Sequence, residues 1–148
     1  MLESGIVYTT GDETIIDEID GLWNELNRVH FEKSRFFKQE YAEYTFRDRK
    51  QSLLEKEKIF VVIARSNGEK IGYCTASVSG GVGEIDSIYI KPYFRRNGIG
   101  GALIKKSLDW ILSNQAKKVV VQFIAGNDEV LGFYSKFGFK PSHTELQL

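Results

Sequence analysis

Arg95, Asn97, Gly98, Gly100 and Gly101 stand within one short stretch whose types and order suit the capture of an anion. The segment from Ile85 to Leu103 reads as a β-strand that passes through a short turn into a helix with glycines in its first turn. The first N–H groups of a helix have no intrahelical acceptor, and the macrodipole places a partial positive charge there, so a phosphate satisfies both. Gly98, Gly100 and Gly101 carry no Cβ, which lets a ligand approach the backbone and lets the turn adopt positive φ. Arg95 and Arg96 add positive charge beside these donors.

Two phosphate-binding motifs can be tested against this stretch. A P-loop requires a second glycine before Lys-Ser, but Lys105 precedes Lys106 and Ser107. The dinucleotide fingerprint requires a third glycine where Leu103 stands, and its strand should open a repeating βαβ series, which this one does not.

A third pattern fits. Arg95-Arg96-Asn97-Gly98-Ile99-Gly100 resembles the Gln/Arg-x-x-Gly-x-Gly/Ala signature of the GNAT superfamily of acyl-CoA-dependent N-acetyltransferases. Ile88-Tyr89-Ile90 resembles the strand on which that family lays the pantetheine arm, and residues 127–139 resemble its second block, Asn-x-x-Ala-x-x-Phe-Tyr-x-x-x-Gly-Phe. Arg96 stands where many members have glycine and Val130 where many have alanine; neither change removes a backbone donor. The resemblance implies a GNAT-like α/β fold: a mixed, mostly antiparallel sheet with a central splayed parallel strand pair, flanked by helices. It further implies acetyl-CoA as cosubstrate, bound by Ile88, Tyr89, Ile90, Arg95, Arg96, Asn97, Gly98, Ile99, Gly100, Gly101, Asn127 and Tyr134.

The implied reaction is direct attack of a primary amine on a thioester in a ternary complex. An aliphatic ammonium, with a pKa near ~10, must lose a proton first. Glu84 and Asp86 alternate on one face of their strand and both are candidate bases; Glu84, acting directly or through water, is favoured over Asp86 because it occupies the place where several family members resemble one another in having a catalytic carboxylate. A free backbone N–H on the splayed strand, that of Ile90, could polarise the thioester carbonyl. Tyr134 matches the family's tyrosine, which protonates the leaving thiolate, and its competing role is a core aromatic beside Phe133 and Phe137. The rival class is a non-catalytic acyl-CoA-binding or sensing module, against which the presence of Glu84 and Tyr134 counts.

The rest of the chain must position these residues. With 148 residues and 42% hydrophobic content, residues 1–148 are expected to form a single domain. Cys74 is the sole cysteine, so no internal disulfide forms, and it is assigned to the core. No apolar run reaches membrane-span or signal-peptide length, which leads to the expectation of a cytoplasmic protein without membrane association. His30 and His143 lack clustered partners, so no metal site is expected. Twenty basic and twenty acidic residues cancel, which argues against a nucleic-acid partner. The halves differ: residues 1–58 hold 13 acids and 9 bases, for −4, and the remainder 7 acids and 11 bases, for +4. The acidic half weakly favours a cationic small-molecule amine or a basic peptide or protein amine as acceptor. GNAT-like proteins often pair, so a homodimer is compatible with the resemblance.

Apolar spacing predicts a strand at 6–10, a helix from Ile15 to about His30, and a second helix over about 43–57. The intervening 31–46 reads as a loop whose Phe31, Phe36, Phe37, Tyr41 and Tyr44 are candidates for acceptor contact. Strands follow at 59–64, 71–77 and 84–90, joined by an Asn67-Gly68 hairpin and a glycine-rich turn at 79–83. A helix over 98–114, a strand over 118–124, a short helix over 129–137 with Asn127 as its N-cap and Gly138 as its C-cap, and a last strand over 143–148 complete the chain.

Overall fold

The computed structural model describes residues 5–148. Its sheet has five strands in chain order: β1 (Ile6–Gly11), β2 (Lys58–Ser66), β3 (Glu69–Ser79), β4 (Val82–Ile90) and β5 (Lys118–Val121). The first three pairings are antiparallel and β4 pairs with β5 in parallel, so the expected mixed sheet is present. The helices are α1 (Asp20–Lys33), α2 (Lys38–Glu43), α3 (Phe46–Leu54), α4 (Ile99–Ser113) and α5 (Glu129–Ser135).

The central strands are apolar on both faces because each face covers a core. Along β2, Phe60, Val62 and Ala64 pack toward Ile99, Leu103, Ile104 and Ile111 of α4. The alternate residues Ile59, Val61 and Ile63 pack toward Leu22, Trp23 and Leu26 of α1 and Leu53 of α3. Each fully buried Leu or Ile in these layers contributes about 1.5–3 kcal/mol.

Two bulges break the ladder. Ala64 pairs with Gly72 and Arg65 with Lys70, which leaves Ile71 as the extra residue on β3. Thr75 pairs with Ser87 and Ala76 with Ile85, which leaves Asp86 as the extra residue on β4. A bulge bends its strand and re-aims the extra side chain.

Several boundaries differ from those expected. The first helix begins as a 3-10 segment, Glu13–Ile19, because the Asp12 carboxylate accepts from the Thr14 N–H at 2.9 Å and its carbonyl from the Ile15 N–H at 3.2 Å, tightening the first turn. The expected loop over 31–46 carries the end of α1 and the whole of α2. Lys38 Nζ donates to the Phe31 and Glu32 carbonyls at 2.6 and 2.9 Å, and Asn27 Nδ2 donates to the Tyr41 and Tyr44 carbonyls at 2.8 and 3.2 Å, contacts that no local periodicity announces. The second helix starts at Phe46 instead of residue 43, where Thr45 and Asp48 form a reciprocal capping box. The strand expected over 143–148 is absent: this tail is exposed, with Leu146 at 91%, and finds no apolar face against which to pair. Among the described residues, no helix is long and apolar enough to cross a membrane.

Candidate active site

The pairing of β4 with β5 runs from Val82–Lys118 to Ile85–Val121, where β5 ends, so β4 continues to Ile90 with a gap on that side. The Lys91 N–H donates to the Ile71 carbonyl at 2.8 Å. By the alternation of an antiparallel ladder, Tyr89 also turns its backbone toward β3, whereas Ile88 and Ile90 turn theirs toward the gap. The Ile90 carbonyl is already engaged: Arg95 Nε donates to it at 2.8 Å, with the guanidinium 5.4 Å from the centre of the Tyr89 ring. The side chain of Arg95 thus clamps the end of β4. Arg96 is exposed, at φ 64°, a left-handed conformation that glycine adopts without strain.

Beyond the gap lies the N-terminus of α4. The Ala102 N–H is the first to reach back within the helix, to the Gly98 carbonyl at 3.1 Å, which leaves the N–H groups at the helix entrance without intrahelical acceptors. Asn97 buttresses the turn, its amide donating to the Phe94 and Arg95 carbonyls at 3.2 and 3.0 Å. The glycines serve different ends. Gly98 sits at φ 77° with open space where a Cβ would stand, whereas a Cβ on Gly100 would come within 3.1 Å of both Ile90 and Phe133. Gly98 therefore sets the backbone and leaves the cradle open, and Gly100 serves the packing of α4 on the protein itself. Gly98→Ala should cost about 1–2 kcal/mol through left-handed strain alone, read in a denaturant titration. A loss under about 0.3 kcal/mol would show that the turn relaxes to another conformation.

Asp86 occupies the bulge of β4. Its backbone carbonyl accepts from Arg49 Nη2 at 2.7 Å, while among the described residues neither its buried Oδ2 nor the buried Ser77 hydroxyl beside it makes a hydrogen bond of good geometry. Burial pushes the Asp86 carboxyl up to about 6, the neighbouring Glu84 charge adds to the rise, and Ser77, Arg49 and Lys56 work against it. Glu84, half-buried, forms an ion pair with Lys56 at 3.2 Å. The Tyr73 hydroxyl donates to Ser87 Oγ at 2.9 Å, and Ser87 shares a hydrogen bond of 2.9 Å with Thr75. His30, against Tyr41, is held below its ordinary value by burial and by the Arg49 charge.

Tyr134 projects from α5 into the core that α4 covers, edge-on to Phe133 and Phe139 at 5.3 and 5.9 Å. Burial raises its phenol above the ordinary value. The helix ends as its glycine suggests: Gly138 is at φ 93°, its N–H donates to the Ser135 carbonyl at 3.1 Å and that of Phe139 to the Tyr134 carbonyl at 3.4 Å, the two bonds of a Schellman motif. Asn127 does not cap α5. Asp128 is the residue before the helix, without a side-chain cap bond, and Asn127 offers its own carbonyl to the Val130 N–H at 3.2 Å while its side chain is buried.

Of the aromatic candidates for acceptor contact, Phe36 is the most open at 78% exposure, and Tyr44 lies against Trp23 at 5.9 Å. A groove of about 620 Å³ beside them is lined by Asp17, Asp20, Asn24, Asn27, Tyr44 and Arg47, residues separate from the cradle. Sequence reasoning did not single out Arg49 or the Asp86 bulge. The Thr45-x-x-Asp48 capping box could have placed Arg49 in the first turn of α3; the bulge has no local signal.

The model of the acetyltransferase (GNAT) family matches residues 22–139. An uncharacterized N-acetyltransferase of Archaeoglobus fulgidus is 32% identical over 100 residues, covering 61% of this chain and 67% of its own. A Bacillus subtilis protein provisionally named ribosomal protein bS18-alanine N-acetyltransferase is 26% identical over 89 residues, covering 60% of this chain, and the chain spans 59% of its length. Among solved structures, the aminoglycoside N-acetyltransferase AAC(6')-Iy in complex with CoA superposes with a TM-score of 0.70 at 16% identity over 97% of this chain and 93% of its own. An aminoglycoside acetyltransferase from an uncultured soil sample, in complex with sisomicin, does so with 0.71 at 18% identity over 100% and 97%. The solved structures show the shared fold, and the family model, which matches residues 22–139, shows that this protein belongs to the GNAT family of acetyltransferases.

Proposed function

We propose that the protein transfers an acetyl group from acetyl-CoA to a primary amine by direct attack within a ternary complex. The observation that carries this reading is the opening of β4 from β5 beyond Ile85, with the backbone of Ile88 and Ile90 turned into it and the entrance of α4 beside it. Unpaired strand groups are costly when buried, and the amides of pantetheine supply partners for them. The pyrophosphate would lie on the N–H groups at the entrance of α4, with the exposed Arg96 as the nearby cation, because Arg95 is engaged with Ile90. Gly101, Ile99 and Asn97 contribute backbone to this cradle, and Asn127 lines the pantetheine side. Acetyl-CoA supplies the activated acyl group; the steps that follow belong to the chain's own residues.

Asp86 acts as the base. With its carboxyl pushed up to about 6, it is ionised at neutral pH yet basic enough to accept the proton that the amine nitrogen loses as it bonds to the thioester carbon. Glu84, neutralised by Lys56, tunes Asp86 and does not replace it. The Ile90 N–H points at the gap and stabilises the oxyanion of the tetrahedral intermediate. Tyr134 stays neutral and donates its proton toward the sulfur as the C–S bond breaks.

Calorimetric titration with acetyl-CoA, with ATP and NAD as controls, tests the reading. Selective micromolar binding, about −8 kcal/mol, is the expected result. Folded protein that binds ATP or NAD more tightly than acetyl-CoA would overturn it.

A further inference from the structure

Among the described residues, a half-buried cation without a carboxylate partner lies next to a carboxyl whose Oδ2 is buried without a hydrogen bond. Of the two half-buried arginines, Arg65 pairs with Glu18 at 2.6 Å and also donates to Thr9. Arg49 makes a single hydrogen bond among the described residues, through Nη2 to the Asp86 carbonyl at 2.7 Å, and has no carboxylate within 4.0 Å. A guanidinium has five N–H donors, so four are left over. The neighbouring Asp86 Oδ2 is buried and makes no hydrogen bond among the described residues, the Ser77 hydroxyl being the neutral donor that acts on it. The Arg49 charge is felt at Asp86 on β4, at Tyr73 on β3 and at His30 on α1, which places it where these elements and α3 converge. Leaving opposite charges unpaired in a half-buried site is costly unless a third party completes both.

We infer that this third party is the acceptor, and that it is an amino acid: its ammonium meets the Asp86 carboxylate and its own carboxylate meets the free edge of Arg49. The geometry limits the spacing. Arg49 is tied to the backbone of Asp86, the very residue whose side chain takes the amine, so the two charges of the acceptor must lie within a few bonds of each other, as in an α-amino acid. The planar fork of a guanidinium matches a carboxylate in two parallel hydrogen bonds. A polycationic acceptor would instead put positive charge against Arg49. The inference rests on the proposed role of Asp86 and assigns Arg49 as the residue that sets specificity.

The test compares acceptors with and without the carboxylate, alanine with ethylamine, leucine with 3-methylbutylamine, and phenylalanine with phenethylamine, each assayed by CoA release and compared per neutral amine, because the carboxylate also lowers the pKa of its amine. The wild-type protein should prefer the amino acid of a pair by at least tenfold in kcat/KM. Arg49→Met should bring that ratio close to one, and Arg49→Lys, which keeps the charge without the fork, should retain part of it. An Arg49 that only pins the bulge would lower both members of a pair alike and leave the ratio untouched, which overturns the inference. Equal use of both members by the wild-type protein overturns it as well. Protein that binds acetyl-CoA but turns over no amino acid sinks the amino-acid inference and spares the acetyltransferase reading, whereas failure to bind acetyl-CoA sinks both. Should the methionine variant not fold, the ratio is read from the lysine variant, where an undiminished preference counts against the fork.

Discussion

Asp86→Asn should lower kcat by about 10²–10⁴-fold and at the same time stabilise the protein at neutral pH. Both effects come from the bulge of β4, which turns a carboxyl into a buried place where, among the described residues, Oδ2 makes no hydrogen bond of good geometry. For the reaction, log kcat/KM should rise with slope 2 below pH 6, where Asp86 and the amine must both lose a proton, and with slope 1 from about 6 toward the amine's own pKa near ~10. The asparagine variant should show slope 1 throughout. Glu84→Gln should keep the break and move it to lower pH, since the Glu84 charge is one of the causes that raise the Asp86 value. A wild-type profile without the break, or a Glu84 variant that loses it, would transfer the role to Glu84.

The sign of the stability effect follows from proton linkage. In the unfolded chain Asp86 titrates near the ordinary 3.8, in the folded chain near 6, so the unfolded state releases its proton first as pH rises. Native stability is therefore lost between pH about 4 and 6, by up to about 3 kcal/mol, and is not regained above that range. An amide carries no charge to desolvate. Thermal unfolding of the variant should exceed that of the wild type at pH 7.5, and the two should converge near pH 4. A variant less stable than the wild type at pH 7.5 would mean that the carboxylate has a native partner.

Tyr134→Phe should reduce turnover by about tenfold to a thousandfold while leaving the fold and acetyl-CoA binding intact. The hydroxyl is all that is removed; the ring keeps its edge-on contacts with Phe133 and Phe139. Burial raises the phenol above its ordinary value of about 10, and the thiol of CoA, near ~8.5 in water, is raised by the same dry surroundings once it becomes a thiolate. The proton therefore moves late, as the C–S bond breaks, and the hydroxyl is more valuable as a donor to developing charge than as a free acid. Turnover within threefold of the wild type, with acetyl-CoA affinity unchanged, would reduce Tyr134 to a core aromatic.

Much of the fold was legible because its signals are local. The continuous apolar run of β2 announced a strand buried on both faces, Asn67-Gly68 announced its hairpin, and Gly98 and Gly138 announced a helix entrance and exit that require positive φ. The two GNAT-like blocks sit where their residues need special backbone: an open N-terminus at α4 and a Schellman exit at α5. The misses are equally physical. Residues 143–148 alternate like a strand but meet no apolar face, and residues 38–43, polar and without periodicity, become α2 through side chains of α1 and Lys38 that tie its carbonyls and flanks.

The sequence by itself determined the family and the glycine turn that opens α4, because each depends on residues that are neighbours in the chain and on backbone conformations those residues prefer. Only the tertiary structure decided the surroundings of the two acidic candidates. The sequence favours Glu84 by its resemblance to the family, yet Glu84 meets Lys56 whereas Asp86 falls on a bulge beside Arg49, 37 positions away in sequence. Burial and charge pairing are sums over neighbours from α1, α3, β3 and β4, and those neighbours exist only once the chain has folded.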